Sequence, residues 1–321
     1  MGADTKIQWA HHTFSPWIGC KHVSEGCRFC YAEVNTFTRT QRARGIELWG
    51  VGGARHVVSD AKWTEVFRWN RAAEASSEQV RVFPSMCDWL EDRDDLVEPR
   101  DRFIFAIENT PALTWLLLTK RPENAERLLP ARWWGEFPRN LWFGFSAEDQ
   151  LNFDARWAEA SQVPGALLWC SYEPALGPID FDGDPYDGLG ALRGHHAEPV
   201  HACGGDPDVC SARCPEPEQT ENRRLSWVVV GGESGPHARP FDPEWMRSAV
   251  RQCREAGVAA FCKQWGSNVR TLDCDLDAED RVVHGFGPEC LGDEIRLRLR
   301  DSKGGDPNEW GPGDWPREFP A

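Results

Sequence analysis

The 321-residue chain has no apolar stretch near the roughly 20 residues of a membrane-spanning helix. Its longest apolar runs, such as Trp115–Leu118 and Trp227–Val230, are the length of strands. The opening Met1-Gly2-Ala3-Asp4-Thr5-Lys6 lacks the basic-then-apolar layout of a secretory leader, and Lys6 stands where myristoylation needs Ser or Thr. Positive charge is scarce. With 36 Lys and Arg against 51 Asp and Glu, the formal charge is −15, so the molecule as a whole is a poor partner for phosphate backbones. Any nucleic-acid contact would need a local basic patch, or delivery by a partner. No glycine-rich dinucleotide turn follows the first apolar segment. These absences lead to an expected cytoplasmic location, where twelve cysteines suggest metal or catalytic thiols rather than a disulfide framework.

What is present begins with Cys20, Cys27 and Cys30, a C-x6-C-x2-C cluster near the start. Soft sulfur ligands select zinc or iron–sulfur clusters. A [4Fe–4S] cluster usually takes four cysteines, so three would leave one iron open to a small molecule such as S-adenosylmethionine (SAM). Zinc held by the three cysteines and His22 is the competing set, since Cys3His sites are common.

Short continuous apolar runs recur at Val80–Phe83, Thr114–Leu118, Leu141–Phe145, Ala166–Trp169, Ser226–Val230 and Val258–Phe261. Unbroken runs of this length indicate strands buried on both faces of a parallel sheet. Helical patterns lie between them at Arg100–Glu108, Pro122–Leu128, Gln150–Ala160 and Pro243–Ala256, the last with Asp242 as N-cap and Gly257 beyond its end. With a first strand at Lys6–Trp9 the alternation gives six to seven βα units. The expected fold is α/β, a partial or complete parallel (β/α) barrel, with a doubly wound sheet as the alternative. The expected organisation is a barrel over residues 1–181 and 226–270, a Cys/His-containing insert over 182–225 lying above the catalytic face, and a C-terminal extension over 271–321. Seventeen tryptophans are expected mostly to pad helix–barrel contacts.

Polar residues gather at the ends of these runs. Ser85 and Asp88 follow the second strand; Thr119, Lys120 and Arg121 the third; Ser146 and Glu148 the fourth; Ser171 and Glu173 the fifth; Gly231, Gly232 and Glu233 the sixth; Lys263 and Gln264 the seventh. In a barrel all these tips meet at one face, where active sites are built, and the cysteine loop opens onto it too. Each has a structural reading as well: strand-end acids cap helices, the Gly-Gly-Glu turn closes a tight βα connection, and Lys120-Arg121 could form an ion-pair cluster. Glu173, Lys263 and Glu233 are the candidate proton-transfer residues. In the insert, Cys203, Cys210, Cys214 and His201 could hold a tetrahedral zinc, a second cluster, or nothing. Cys87, Cys170, Cys253 and Cys262 read as core, and His11 and His12 as structural.

Lys6-Ile7-Gln8-Trp9, Gly26-Cys27-Arg28-Phe29-Cys30-Tyr31-Ala32-Glu33, Leu117-Leu118-Thr119-Lys120-Arg121-Pro122, Ser171-Tyr172-Glu173-Pro174 and Gly231-Gly232-Glu233-Ser234-Gly235-Pro236 together resemble a phage- and bacteria-associated family. That family is known by a three-cysteine motif and regarded as radical-SAM-like. The resemblance covers nearly the whole chain outside the insert. It implies a [4Fe–4S] cluster on Cys20, Cys27 and Cys30, with SAM contacts from Ser146 and Glu148 and further ones from Ser85, Asp88 or Glu173. Gly231 and Gly232 are cofactor-binding candidates on their own account, since glycines let the backbone approach a ligand closely. Their turn follows the sixth strand and is not equated with the superfamily's Gly-Gly-Glu motif, which follows the second. The resemblance further implies a flavodoxin- or ferredoxin-like reductant and, through the phage association, nucleic-acid modification or repair. Phe29 matches the superfamily's aromatic before the third cysteine, whereas the six-residue first gap departs from its usual C-x3-C-x2-C spacing. A zinc-stabilised protein that binds nucleic acid or a partner without turnover is the rival reading.

Overall fold

A computed structural model describes residues 2–76, 78–164, 166–183, 190–193, 223–272, 294–297, 299, 301–306, 308, 310 and 315–320. Cys203, Cys210, Cys214 and His201 lie outside the described residues. Seven strands form one sheet: β1 (His12–Thr13), β2 (Val80–Phe83), β3 (Leu113–Thr119), β4 (Leu141–Ser146), β5 (Leu167–Tyr172), β6 (Leu225–Gly231) and β7 (Ala259–Gln264). They pair in chain order and all parallel, with β1 and β7 left as edges. Right-handed crossovers in unbroken order keep the connecting helices between strands on one face, so the sheet curls into an open half-barrel. The helices are α1 (Tyr31–Val34), α2 (Thr36–Ala43), α3 (Asp60–Ser76), α4 (Val97–Glu108), α5 (Ala125–Leu128), α6 (Gln150–Ala160) and α7 (Pro243–Ala256). Both α6 and α7 begin where expected because their caps are real. The Asp149 side chain accepts from the Asn152 N–H, that of Asp242 accepts from the Glu244 N–H, and Gly257 ends α7 in the left-handed region at φ 67°.

Alternate strand residues face opposite ways. Phe143, Phe145, Cys170, Tyr172, Val228 and Val230 pack on the helices. Their neighbours Leu116, Trp142, Trp169, Trp227, Val229 and Phe261 form a separate cluster on the inner face. Four tryptophans depart from expectation: Trp9, Trp142, Trp169 and Trp227 fill the lumen rather than padding helices, with Trp169 and Trp227 5.2 Å apart between ring centroids. Most of the buried tryptophans keep the expected role: Trp63, Trp69, Trp89, Trp115, Trp133, Trp157, Trp265 and Trp310 lie in the helix-side core.

The first strand also differs from expectation. Lys6–Trp9 is not extended; the Ala10 N–H closes a turn on the Ile7 carbonyl at 3.1 Å, and β1 follows it. The apolar alternation of Ile7 and Trp9 is satisfied by plugging the inner face, where Trp9 packs against Phe83 at 4.5 Å and Trp169 at 5.6 Å. Helix α3 carries no strong one-sided pattern and was not expected. At the other edge, the chain end covers β7. The Cys262 N–H donates to the Pro316 carbonyl (2.8 Å), the Glu318 N–H donates to the Ala260 carbonyl (2.9 Å), and Phe319 packs on Trp227 at 5.4 Å. A covered edge removes a template for aberrant pairing.

Gly144 of β4 is small because the Trp169 indole lies across it, held by an Nε1–H bond to the Trp142 carbonyl at 3.2 Å. A Cβ there would overlap that ring. Gly144→Ala should therefore destabilise the fold by about 1–3 kcal/mol, read as a lower midpoint in urea with an unchanged slope.

Candidate functional site

Above the aromatic layer the inner face changes character. Continuing each strand by two residues leads from Trp142 through Gly144 to Ser146, from Trp169 to Ser171 and Glu173, from Val229 to Gly231, and from Phe261 to Lys263. Small and polar side chains thus line the C-terminal mouth of the half-barrel, the expected place for chemistry in this architecture.

The cysteine loop closes over this mouth. Cys20 forms an isolated bridge with Trp49, Cys27 ends a 3-10 turn (Glu25–Cys27), and Cys30 is the N-cap of α1. All three are free thiols and half-buried. Cys20 and Cys30 adjoin a small apolar cluster of Ile18, Ala32, Leu48, Trp49 and Met86. Burial, reinforced by the Asp88 carboxylate, pushes the Cys20 thiol up to about 12 against the pull of Arg121. Burial also raises Cys30.

Three anchors hold the loop. In the first, Arg121 Nη2 donates to the Lys21 carbonyl at 2.6 Å and Nη1 reaches Cys20 Sγ at 3.6 Å. Arg121 is itself fixed by the Asp88 carboxylate at 2.6 Å, which also accepts from the Thr119 hydroxyl (2.7 Å) and the Lys120 N–H (3.0 Å). The second anchor is Glu148, with no solvent exposure. It pairs with Lys120 and with Arg156 (2.7 Å), and accepts from Ser24 Oγ at 2.6 Å. Burial alone would raise the Glu148 carboxyl, but Lys120, Arg156 and Ser24 more than reverse this and hold it below the usual carboxylate range. Gly26 rests directly on this carboxylate, and a Cβ there would overlap it. In the third, Glu233 holds Arg239 through two contacts, at 2.8 and 3.1 Å, and Arg239 Nη1 donates to the Glu25 carbonyl at 2.8 Å.

The remaining candidates fall into two groups. Lys263 Nζ lies 2.8 Å from Glu173 Oε1 at the mouth. Gly231 leaves room for that carboxylate, since a Cβ would come within 2.8 Å of Oε1. Gly232 serves packing instead, pressed against the Trp265 carbonyl and Phe241. Ser85 contributes its carbonyl, accepting from the Tyr31 hydroxyl at 2.9 Å. His11 and His12 are structural: His11 Nδ1 accepts from the Arg81 N–H at 2.9 Å, and His12 stacks on Trp69 at 4.5 Å. Cys170, Cys253 and Cys262 sit in the helix-side core, which removes Cys170 from the mouth.

The donor set fits an iron–sulfur cluster. Two of the three thiols, Cys20 and Cys30, meet an apolar backing that suits soft ligands, and Arg121 points a donor at the Cys20 sulfur. His22, the fourth ligand of the zinc alternative, directs Nε2 to Glu33 at 2.7 Å. Among the described residues no group of three or more His, Cys, Asp or Glu side chains stands at metal-binding separation. The fit therefore rests on donor chemistry and on the loop's anchoring.

Sequence reasoning passed over Ser24, Gly26, Arg156 and the anchoring role of Arg239. Only the place of Ser24 three positions before Cys27, with Gly26 between them inside the cysteine loop, could have flagged the first two. Arg156 reads as an ordinary helix residue, and its partner is set by the α6 packing on β4.

Glu148→Gln keeps the shape but leaves Lys120 and Arg156 without their charge partner, so it should cost on the order of 3–5 kcal/mol at pH 7. A carboxyl held low contributes stability that is full above its ordinary value of about 4.3 and is lost as pH falls through the lowered native value. The gap between wild type and Glu148→Gln should therefore narrow below about pH 4 in urea titrations. A gap that stays constant from pH 7 to 3 would contradict the assignment.

A solved structure of spore photoproduct lyase complexed with dinucleoside spore photoproduct is similar at TM-score 0.41 and 16% sequence identity, over 79% of this chain and 64% of that chain. The chain thus spans 64% of that protein's length. No curated protein matches significantly. The family model described as "Protein of unknown function (DUF5131)" matches residues 4–292, and with that span the chain belongs to this family.

Proposed function

We propose that this chain is a radical-SAM-type enzyme, with Cys20, Cys27 and Cys30 as the ligands of a [4Fe–4S] cluster. The observation that carries the reading is a three-cysteine loop held by buried ion pairs over the C-terminal mouth of a parallel half-barrel. When bound at such a site, a cluster with SAM supplies one-electron cleavage to methionine and a 5′-deoxyadenosyl radical that abstracts hydrogen from a substrate.

The chain's own residues orient and enclose. Ser146 and Gly231 line the mouth and would contact SAM there, with Ser85 as a further contact, while Gly232 serves packing. Asp88 and Glu148 act from beneath: their carboxylates fix Arg121 and Lys120, and so set the height of the loop. Glu233 acts in the same way through Arg239. The Glu173–Lys263 pair can hold or pass a proton between Oε1 and Nζ at the mouth. The tryptophan layer closes the lumen below and excludes water from that side. The electron would come from a flavodoxin- or ferredoxin-like reductant.

Anaerobic reconstitution should load about four irons per chain, lost on Cys27→Ala, and dithionite with SAM should yield 5′-deoxyadenosine. Zinc without iron, and intact SAM after reconstitution, would overturn the reading in favour of a zinc-stabilised binding protein.

A further inference from the structure

The surface of the cysteine lobe differs from the rest of the chain in two independent ways. Of the nine exposed large hydrophobic residues among those described, six lie in this one segment: Val23, Tyr31, Val34, Ile46, Val51 and Val57. Val51 is the most open of them at 76%. The charge also inverts. Residues 20–57 carry the bases Lys21, Arg28, Arg39, Arg42, Arg44 and Arg55 against only Glu25, Glu33 and Glu47, whereas the whole chain has 36 bases and 51 acids. Arg55 is buried on Glu91 (2.7 Å) and Arg42 is paired with Glu47 (2.8 Å). Lys21, Arg28, Arg39 and Arg44 remain on the exposed surface.

This surface is closed by its own hydrogen bonds and joined to the Cys20 backbone. The loop after α2 is closed by the Ala54 N–H on the Glu47 carbonyl at 2.8 Å, and Arg55 Nη1 ties in the Leu48 (3.0 Å) and Gly53 (2.8 Å) carbonyls. Next to exposed Val51, the Gly50 N–H donates to the Cys20 carbonyl at 3.0 Å. Trp49 bridges to Cys20 and packs in the apolar cluster that backs Cys20 and Cys30. A partner seated on Val51 and Ile46 is thus one residue and one hydrogen bond from a cysteine.

We propose that the face formed by α2 and the 44–53 loop is the docking surface for a small acidic electron-transfer protein. This rests on the radical-SAM reading above. Exposed apolar residues (Ile46, Val51) in a segment with excess exposed bases (Arg39, Arg44) fit a transient redox encounter, in which opposite charge steers and a small dry centre seats the partner. One electron leaves the carrier's reduced centre, which is oxidised by one, and enters the metal centre held by Cys20, Cys27 and Cys30, which is reduced by one. No bond forms or breaks in that step. Long nucleic-acid strands are the lesser fit, because the bases here sit between apolar residues in a chain of net charge −15.

The test is anaerobic calorimetric titration of the reconstituted full chain with purified flavodoxin at low and high salt. Binding should weaken with salt, and Arg39→Glu with Arg44→Glu should weaken it about tenfold. Reduction of the same variant by dithionite should proceed at the wild-type rate. Val51→Ser, which removes apolar contact without changing charge, should weaken binding too and guards against misfolding of the double variant. Iron in place with no flavodoxin binding, or with equal affinity in all variants, overturns the docking surface and leaves the enzyme reading standing. Failure to load iron removes both. Loss of single-stranded oligonucleotide binding in these variants, with flavodoxin binding unaffected, would reassign the surface to nucleic acid.

Discussion

A carboxylate with no access to solvent governs this structure. Glu148 keeps its charge only because Lys120, Arg156 and the Ser24 hydroxyl surround it, since an unpaired buried ion would cost several kcal/mol. Each partner comes from a different element: Lys120 from the end of β3, Arg156 from α6, Ser24 from the cysteine loop. Satisfying one charge therefore fixes the relative position of all three. Asp88 repeats the arrangement through Arg121, and Glu233 through Arg239. The loop that carries the thiols is held by ion pairs on three sides, while its own hydrophobic contacts are few.

The half-barrel supplies the platform for this. Its inner face is aromatic and filled toward the N-terminal ends of the strands, and small and polar toward the C-terminal ends. The change falls within two residues on each strand: Trp169 to Ser171, Val229 to Gly231, Phe261 to Lys263. The chain end adds Phe319 to the aromatic layer and covers β7. Seven strands do not close a barrel, so the open sides need cover. Gly2, bridged to Thr13 of β1, provides it at one edge and residues 316–319 at the other.

The strand runs, the parallel order and the convergence of polar tips were legible in the sequence because continuous apolar segments have few alternatives in a large domain. The two well-capped helices were legible for the same local reason. The first strand was misplaced because the Ile7/Trp9 alternation satisfies a lumen plug as well as it satisfies a strand. Most tryptophans pad the helix side as expected, but the four in the lumen were not foreseen, because composition says that a ring is buried and not on which side of the sheet. The candidate carboxylates were found, yet their partners were not. Glu148 with Arg156, and Glu233 with Arg239 and the Glu25 carbonyl, are pairings fixed by tertiary packing, with no periodicity to announce them.

The central claim is that the anchored loop presents three thiolates and leaves one metal position open. Electron paramagnetic resonance of the reduced, reconstituted chain, with and without SAM, tests it most directly. The account predicts a [4Fe–4S]+ signal that changes shape on adding SAM and is lost in Cys27→Ala. A signal indifferent to SAM, or a colourless zinc-loaded protein with no signal after reconstitution, would contradict it.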